Sequence, residues 1–199
     1  MSAPNRPQHR ALKQPLLAGI DEVGRGCIAG PVIAAVVILD PQRPIPGLAD
    51  SKKLTPARRA LLAGQIRQNA MAWSIGRAEA LEIDSLNIHH ATLLAMCRAY
   101  QSLGVTADFA RIDGKFCPDI PCNSQAVVGG DGLHAEISAA SIIAKVWRDR
   151  EMAVWDAVWP GYGLAGHKGY PTASHVAAMV RLGPSPIHRR SYAPVRALL

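Results

Sequence analysis

Short apolar runs separated by polar turns predict five strands. Leu16 to Ile20 is an apolar run that stops at two acids, and the β-branched run Val32 to Leu39 follows after a glycine-containing loop. Such runs are typical of buried strands, and the short loop between them favours an antiparallel hairpin. Further strands are predicted at Ala72 to Glu79, Phe109 to Ile112 and Gln125 to Val128.

Helices are predicted between and after these strands. Thr55 before Pro56 is typical of an N-cap followed by proline in the first helical turn. Apolar residues at helical spacing, followed each time by Gly or Pro, predict helices at Ser85 to Leu103, Glu136 to Trp159 and Thr172 to Leu182. The order of elements indicates an α/β fold: a mixed sheet flanked by helices, with a small C-terminal helical extension.

The length of 199 residues suits one domain. We expect residues 1–13 to be a flexible lead-in and residues 14–199 to form a single domain that includes the C-terminal helical part. The four cysteines form no CxxC pair, the N-terminus has no apolar signal core, and no later run is long enough to span a bilayer. These features favour reduced thiols and a cytoplasmic location.

We also expect a monomer. The sequence shows no coiled-coil seam and no obvious apolar stripe that would be left exposed on a helix. Trp147, Trp155 and Trp159 are expected to fill the core.

The chain is basic: Lys and Arg exceed Asp and Glu by 22 − 15 = 7, and the isoelectric point is near 9.6. A positive protein attracts polyanions, and nucleic acid is the leading partner class. Many basic proteins simply carry solvated charges, so the choice depends on the motifs.

Acids follow three of the predicted strands. Asp21 and Glu22 come after the first strand, Asp113 after the fourth and Asp131 after the fifth. Acids at adjacent strand ends would converge and repel one another, so a cation must compensate. Carboxylate oxygens suit Mg²⁺ or Mn²⁺, and two such ions support in-line displacement at phosphorus. The alternative is that these acids are ordinary turn residues, since Asp before Gly is common in turns.

The loop after the first strand contains Gly24, Arg25 and Gly26. With Ala29 it matches a dinucleotide-binding fingerprint, but a strand follows where that motif needs a helix. Loop amides beside glycines are able to approach a sugar–phosphate backbone closely, and Arg25 would add charge. A plain hairpin turn is the alternative.

Several long motifs resemble, in order, the bacterial ribonuclease HII family of type 2 ribonucleases H. The resemblance runs from Leu16 to the C-terminus. The motifs are GIDEVGRGCIAGPVIAAVVIL (residues 19–39), DSKKLT (50–55), IDG (112–114), GGD followed by ISAASIIAKVWRDREM (129–152), GHKGYPT (166–172) and HRRSYAPV (188–195).

The resemblance implies a ribonuclease H-like catalytic domain. It implies cleavage of the RNA strand of RNA–DNA hybrids, and cleavage 5′ of single ribonucleotides in duplex DNA, leaving 3′-hydroxyl and 5′-phosphate ends. The implied role is removal of ribonucleotides from DNA, in replication and repair. The catalytic and metal-binding residues would be Asp21, Glu22, Asp113 and Asp131, with Mg²⁺ or Mn²⁺ as cofactor and two ions when substrate is bound. The substrate-binding residues would be Gly24, Arg25, Gly26 and Tyr170 at the ribose, with Lys52, Lys53, Lys145, Lys168, Arg189 and Arg190 at phosphates.

Other functions fit less well. The related ribonuclease HIII type carries an extra N-terminal domain and favours Lys at the position of Arg25. A catalytically silent hybrid-binding module gives no reason for four acids near phosphates. A nuclease acting on Holliday junctions or DNA ends gives no reason for a 2′-hydroxyl sensor.

Overall fold

The computed structural model describes residues 15–199 and has a five-stranded mixed sheet at its centre. In space the strands follow the order β3-β2-β1-β4-β5. Strand β1 is antiparallel to β2 and parallel to β4, and β4 is parallel to β5. The carboxyl ends of β1, β4 and β5 therefore meet at one edge. The strands are β1 (Leu17–Val23), β2 (Val32–Ile38), β3 (Ala72–Ala78), β4 (Phe109–Asp113) and β5 (Asn123–Val127).

Helices cover both faces of the sheet, as expected for this α/β fold. One face packs against α2, and the other packs against α1 and α3. The shorter helices after α3 pack with the loop between β1 and β2 in a third apolar cluster. The helices are α1 (Pro56–Asn69), α2 (Ala80–Gln101), α3 (Ala135–Val158), α4 (Leu164–His167), α5 (Ala173–Leu182) and α6 (Ala193–Arg196).

Strand β2 shows how the sequence produces this layering. Its side chains are all buried, and they alternate between the two faces: Val36 packs in the cluster under α2, whereas Ala35 and Val37 pack under α1 and α3. A close approach fixes α3 on the sheet, because a Cβ at Gly19 would meet the Glu136 backbone at 2.1 Å. Glycine at position 19 therefore sets α3 directly against β1.

Most of the predicted elements are present, and two differ. Strand β1 does not stop before the acids: Asp21 and Glu22 still pair with Ala35 and Ala34 of β2. Helix α2 starts at Ala80 and is interrupted at Asn87, which has φ 66° and ψ 165°. The Asn87 side chain accepts hydrogen bonds from the amides of the two following histidines and so begins the second helical segment.

Some surface expectations are wrong. Trp147 is 43% exposed, and it shares one face of α3 with exposed Val154 and Val158, so this helix does present an apolar stripe. Among the described residues no helix is long and apolar enough to cross a membrane. The expected flexible lead-in, residues 1–13, lies outside the described residues.

Candidate active site

The four acids singled out in the sequence lie at one edge of the sheet. Asp21 and Glu22 are near the end of β1, whose register with β4 pairs Ile20 with Ile112 and so places Asp113 beside them. Strand β5 pairs Val127 with Asp113 and leads into a 3-10 turn (Gly130–Gly132) that carries Asp131. The Gly130 amide donates to Asp113 Oδ1 at 2.7 Å and ties this turn to β4.

Burial and mutual repulsion disfavour ionisation of the first two acids. Asp21 is only 4% exposed. Burial, followed by the charges of Glu22 and Asp113, raises the pKa of Asp21 well above its ordinary value. Burial also raises the pKa of Glu22, although Arg25 opposes the shift with its Nε 3.8 Å from Glu22 Oε1.

Asp131 is a buried acid with an incomplete set of partners. Burial raises its pKa, and the charge of Lys52 opposes that shift. Lys52 Nζ lies 3.5 Å from Asp131 Oδ2, yet this oxygen accepts no hydrogen bond from residues 15–199. A buried carboxylate oxygen without a donor is costly unless another cation reaches it.

The acid cluster fits a divalent cation chemically. Within residues 15–199 no three His, Cys, Asp or Glu side chains already stand in the arrangement of a metal site. The donors are nonetheless all carboxylate oxygens, which hard divalent cations prefer. The charges of Glu22 and Asp113 add to burial in raising the pKa of Asp21, and Asp131 Oδ2 has no hydrogen-bond donor among residues 15–199. A divalent cation would offset both.

The glycine loop lies beside the acids, and its two glycines have different surroundings. Gly24 has φ +96°, and a Cβ there would lie 2.4 Å from Arg148 Nε, so only glycine fits. Gly26 is exposed, and its added Cβ would meet Tyr170 Cε1 at an ordinary 3.7 Å. The structure thus brings Tyr170 next to the loop, and the resemblance had implied that both lie at the ribose.

Arg189, expected at a phosphate, lies inside the protein and is 0% exposed. Its guanidinium donates to the carbonyls of Gly24 at 2.7 Å, Arg25 at 3.0 Å and Gly30 at 2.9 Å. A side chain so enclosed does not reach a bound phosphate. The prediction of a phosphate contact is therefore wrong for Arg189. This side chain instead holds the loop from inside the protein.

A second buried arginine, Arg148, was missed in the sequence. It donates to the carbonyls of Ala29 at 3.0 Å, Pro31 at 3.2 Å and Lys168 at 2.6 Å. It thereby joins the loop to the segment that carries Tyr170. Its position was readable, because it falls four residues after Ala144 on the buried face of α3.

The other basic residues occupy varied positions. Lys52, Lys53 and Arg190 are exposed. Lys145 is half-buried, and its Nζ donates to Asp149 Oδ1 at 2.7 Å. Lys168 is also half-buried, with its Nζ bonded to the Ala165 carbonyl. Apart from Arg189, the phosphate contacts stay predictions.

A cavity of about 210 Å³ adjoins the acids and was not anticipated from the sequence. Its lining includes Glu22, Arg25 and Asp113 together with His89 and Phe116. The ring centroids of His89 and Phe116 are 4.6 Å apart in an edge-on contact. Phe116 follows Asp113 by three residues and is 59% exposed.

A buried histidine pair supports the segment that carries Tyr170. His175 Nε2 and His188 Nε2 are 3.0 Å apart, and His175 Nδ1 lies 2.9 Å from the Tyr170 carbonyl. Burial lowers the pKa of each ring to about 4. Both rings are therefore neutral near pH 7; His175 holds the Tyr170 backbone directly, and His188 holds His175.

Comparison with known proteins decides the family. The family model described as Ribonuclease HII matches residues 18–195. The chain belongs to the ribonuclease HII family. Ribonuclease HII of Methylococcus capsulatus (strain ATCC 33009 / NCIMB 11132 / Bath) is 59% identical over 184 residues, covering 92% of this chain and 95% of that protein. The sequence resemblance is confirmed, and the chain is a metal-dependent endoribonuclease of the ribonuclease H class that acts on RNA–DNA hybrids.

Solved structures agree with this assignment. Ribonuclease H2 from Pyrococcus horikoshii OT3 has a TM-score of 0.77 and 26% identity, covering 92% of this chain and 96% of that one. Bst-RNase HIII in complex with Mn²⁺ has a TM-score of 0.75 at 18% identity, covering 98% of this chain and 74% of that one, which shows a shared fold alone. The predicted ribonuclease H-like fold of this ribonuclease HII family member is confirmed.

Proposed function

We propose that this endoribonuclease cuts duplex DNA on the 5′ side of a single embedded ribonucleotide, leaving 3′-hydroxyl and 5′-phosphate ends. The observation that carries the proposal is that Tyr170 faces Gly26, with its Cε1 3.7 Å from where a Cβ of residue 26 would stand. The neighbouring Arg25 lines one cavity with Glu22 and Asp113. The loop is exposed and glycine-rich, which suits close approach to a ribose 2′-hydroxyl. The tyrosine ring would then pack on the sugar of the following deoxynucleotide, where an added hydroxyl fits poorly.

Four carboxylates would hold the metal in this proposal: Asp21, Glu22, Asp113 and Asp131. Bound Mg²⁺ or Mn²⁺, as two ions with substrate present, supplies activation of a water and stabilisation of the leaving oxygen. The protein itself keeps Asp21 buried on β1 and orients Asp113 through the Gly130 amide. Lys52 is exposed and lies beside Asp131, and in this proposal it would also meet a phosphate.

The remaining exposed cations would guide the duplex into this cleft. Lys53 and Arg190 are exposed, and Lys145 and Lys168 are partly accessible. The net charge of +7 favours attraction of a polyanionic duplex. We also propose one catalytic domain over residues 14–199, action as a monomer in the cytoplasm, and a role in removing ribonucleotides from DNA.

One assay tests the proposal directly. A labelled DNA duplex with a single ribonucleotide is incubated with Mg²⁺, with Mn²⁺ or with EDTA, and the product ends are mapped against an all-DNA duplex. We expect metal-dependent cleavage 5′ of the ribonucleotide only. Binding without cleavage in either metal would favour the silent binding module, and cutting of all-DNA duplex would remove the 2′-hydroxyl requirement.

A further inference from the structure

The carbonyls of two consecutive loop residues point into the protein. The Gly24 carbonyl accepts from Arg189 Nη2 at 2.7 Å, and the Arg25 carbonyl accepts from Arg189 Nη1 at 3.0 Å. The Tyr192 hydroxyl also donates to the Arg25 carbonyl, at 2.7 Å. Both peptide planes are thus fixed by buried or partly buried donors.

The direction of a carbonyl fixes the direction of the next amide. In a trans peptide the C=O of one residue and the N–H of the next point to opposite sides of the chain, and residues 15–199 contain no cis bond. The amides of Arg25 and Gly26 therefore point away from Arg189, toward the exposed side of the loop. Neither amide donates to a backbone carbonyl among residues 15–199.

We propose that Arg189 is a positioning residue for ribose recognition: it turns the Arg25 and Gly26 amides toward the 2′-hydroxyl of the substrate. The inference rests on the proposed function, and it assigns the discrimination between ribose and deoxyribose to two oriented amides. Arginine suits this role because its planar fork reaches three carbonyls in fixed directions, whereas the ammonium of lysine donates from one point. Its enclosure prevents water from competing for those carbonyls.

The test compares Arg189→Lys with Arg196→Gln, a control at an exposed arginine to which no contact with the duplex is assigned. Binding to a one-ribonucleotide duplex and to the matching all-DNA duplex is measured in EDTA, which stops cleavage. Two amide hydrogen bonds contribute about 0.5–1.5 kcal/mol each, so we expect Arg189→Lys to lose roughly tenfold in ribonucleotide preference. Affinity for the all-DNA duplex should stay unchanged.

Tyr192→Phe is a second variant for the same measurement if Arg189→Lys does not fold. It removes one hydrogen-bond donor to the Arg25 carbonyl and keeps the aromatic ring. It should lower the same preference by about threefold, the effect of one weakened hydrogen bond. Unchanged preference in a folded variant, or equal loss on both duplexes, overturns the positioning role. A wild-type protein that cleaves no ribonucleotide-containing duplex would instead refute the proposed function.

A separate observation concerns the wall that His89 and Phe116 form in the cavity beside the acids. Asn87 adopts a backbone conformation that is costly for any residue but glycine, and its side chain caps the amide of His89. This kink places His89 against Phe116. Strain and an exposed aromatic ring beside catalytic acids are features found at ligand-binding surfaces.

We infer that this wall binds the nucleotide on the 5′ side of the scissile phosphate. Phe116 lines the cavity beside Glu22 and Asp113, and Tyr170 and Gly26 do not line it. Since Tyr170 takes the 3′ neighbour in the proposed function, this cavity is left for the 5′ neighbour. Aromatic side chains bind nucleic-acid bases by stacking, whatever the base.

Phe116→Ala tests this subsite, with Trp147→Ala as an exposed aromatic control. Each protein is assayed on ribonucleotide duplexes whose 5′ or 3′ neighbour is intact or abasic. In the wild type an abasic 5′ neighbour should raise KM about tenfold, as for one lost stacking contact. Phe116→Ala should raise KM by a similar factor on the intact duplex. An abasic 5′ neighbour should then raise the KM of this variant no further.

The 5′ assignment is overturned if the effects of Phe116→Ala and of an abasic 5′ neighbour on KM simply add. It is also overturned if Phe116→Ala cancels only the effect of an abasic 3′ neighbour. Phe116 is exposed, so its truncation should leave the fold intact, and His89→Ala provides a second variant that should show the same coupling more weakly. Absence of wild-type cleavage on every ribonucleotide-containing duplex would again refute the proposed function and not the subsite alone.

Discussion

Tyr170 faces Gly26 across a gap that one methyl group would fill, because a Cβ added at Gly26 would lie 3.7 Å from Tyr170 Cε1. The protein itself thus has room for alanine at position 26. Gly24 differs, since its Cβ would meet Arg148 Nε at 2.4 Å. We expect Gly26→Ala to change stability by less than about 0.5 kcal/mol but to lower cleavage about a hundredfold by displacing the ribose.

Gly24→Ala is the matched comparison and should instead lose stability, by about 1–3 kcal/mol from backbone strain alone. Chemical denaturation and initial rates on a one-ribonucleotide duplex separate the two effects. Normal activity in Gly26→Ala would show that the sugar does not approach this glycine.

Tyr170 is expected to act in substrate preference and not only in folding. Tyr170→Ala should lower the rate on a single embedded ribonucleotide about tenfold more than the rate on a continuous RNA–DNA hybrid, a difference of about 1.4 kcal/mol. The ring is 42% exposed, so its removal leaves most core packing intact. The measurement is the ratio of initial rates on the two substrates. An equal loss on both would assign Tyr170 to the turn between Gly169 and Pro171.

Asp113→Asn should abolish cleavage and leave hybrid binding nearly unchanged, because it weakens the metal site but not the basic surface. It should also raise the thermal midpoint of the metal-free protein by a few degrees. Repulsion among the acids is relieved, and about 1 kcal/mol corresponds to about 2–4 °C in a chain of this size. Asp119→Asn, at an exposed position, is the control. Near-normal cleavage by Asp113→Asn would remove this residue from the mechanism.

Binding should weaken steeply with salt, since phosphate contacts release counterions. Each contact contributes about 0.9 to the slope of log affinity against log salt, so Lys53→Ala should reduce the slope by about that amount. The cleavage position should not change. Fluorescence anisotropy at several salt concentrations measures the slope, and an unaltered slope would place Lys53 in bulk solvent.

The buried histidines predict a loss of stability in mild acid. Burial lowers the pKa of His175 and His188 from 6.5 to about 4, so the unfolded chain binds more protons between these values. Stability contributed by the neutral rings is full above pH 6.5 and is lost as pH falls toward 4, by roughly 2–4 kcal/mol. Urea unfolding between pH 7 and 5 should show this loss, and His188→Asn should reduce it. His90→Asn is the exposed control. If the unfolding free energy of His188→Asn depends on pH as that of His90→Asn does, the buried histidines are not the cause of the loss.

The sequence was sufficient for the parts of the site that depend on local pattern. Asp21 and Asp113 were predicted at the site because each follows an apolar run, and parallel neighbouring strands bring such positions together. The Thr55 cap of α1 followed equally from local chemistry, and its hydroxyl accepts from the Arg58 amide as expected.

Contacts between residues that are far apart in the sequence could not be predicted in the same way. Arg189 meets Gly24 across 165 positions, and a basic residue near basic neighbours is usually exposed, so the sequence favoured a phosphate contact. The kink at Asn87 was hidden because apolar spacing continues on both sides of it. Phe116 had no local signal, since its exposure depends on how β4 meets α2.

The enzyme carries two kinds of positive charge: exposed lysines, and the buried guanidinium groups of Arg148 and Arg189. Mobile ions shield the exposed lysines, whereas two guanidinium groups enclosed beneath the loop are shielded far less. Raising the ionic strength should therefore weaken the attraction of the lysines for phosphates sooner than it weakens the hold of the two arginines on the loop that contacts the ribose. We expect the enzyme to become more selective for ribonucleotides in the same salt range in which it binds every duplex more weakly.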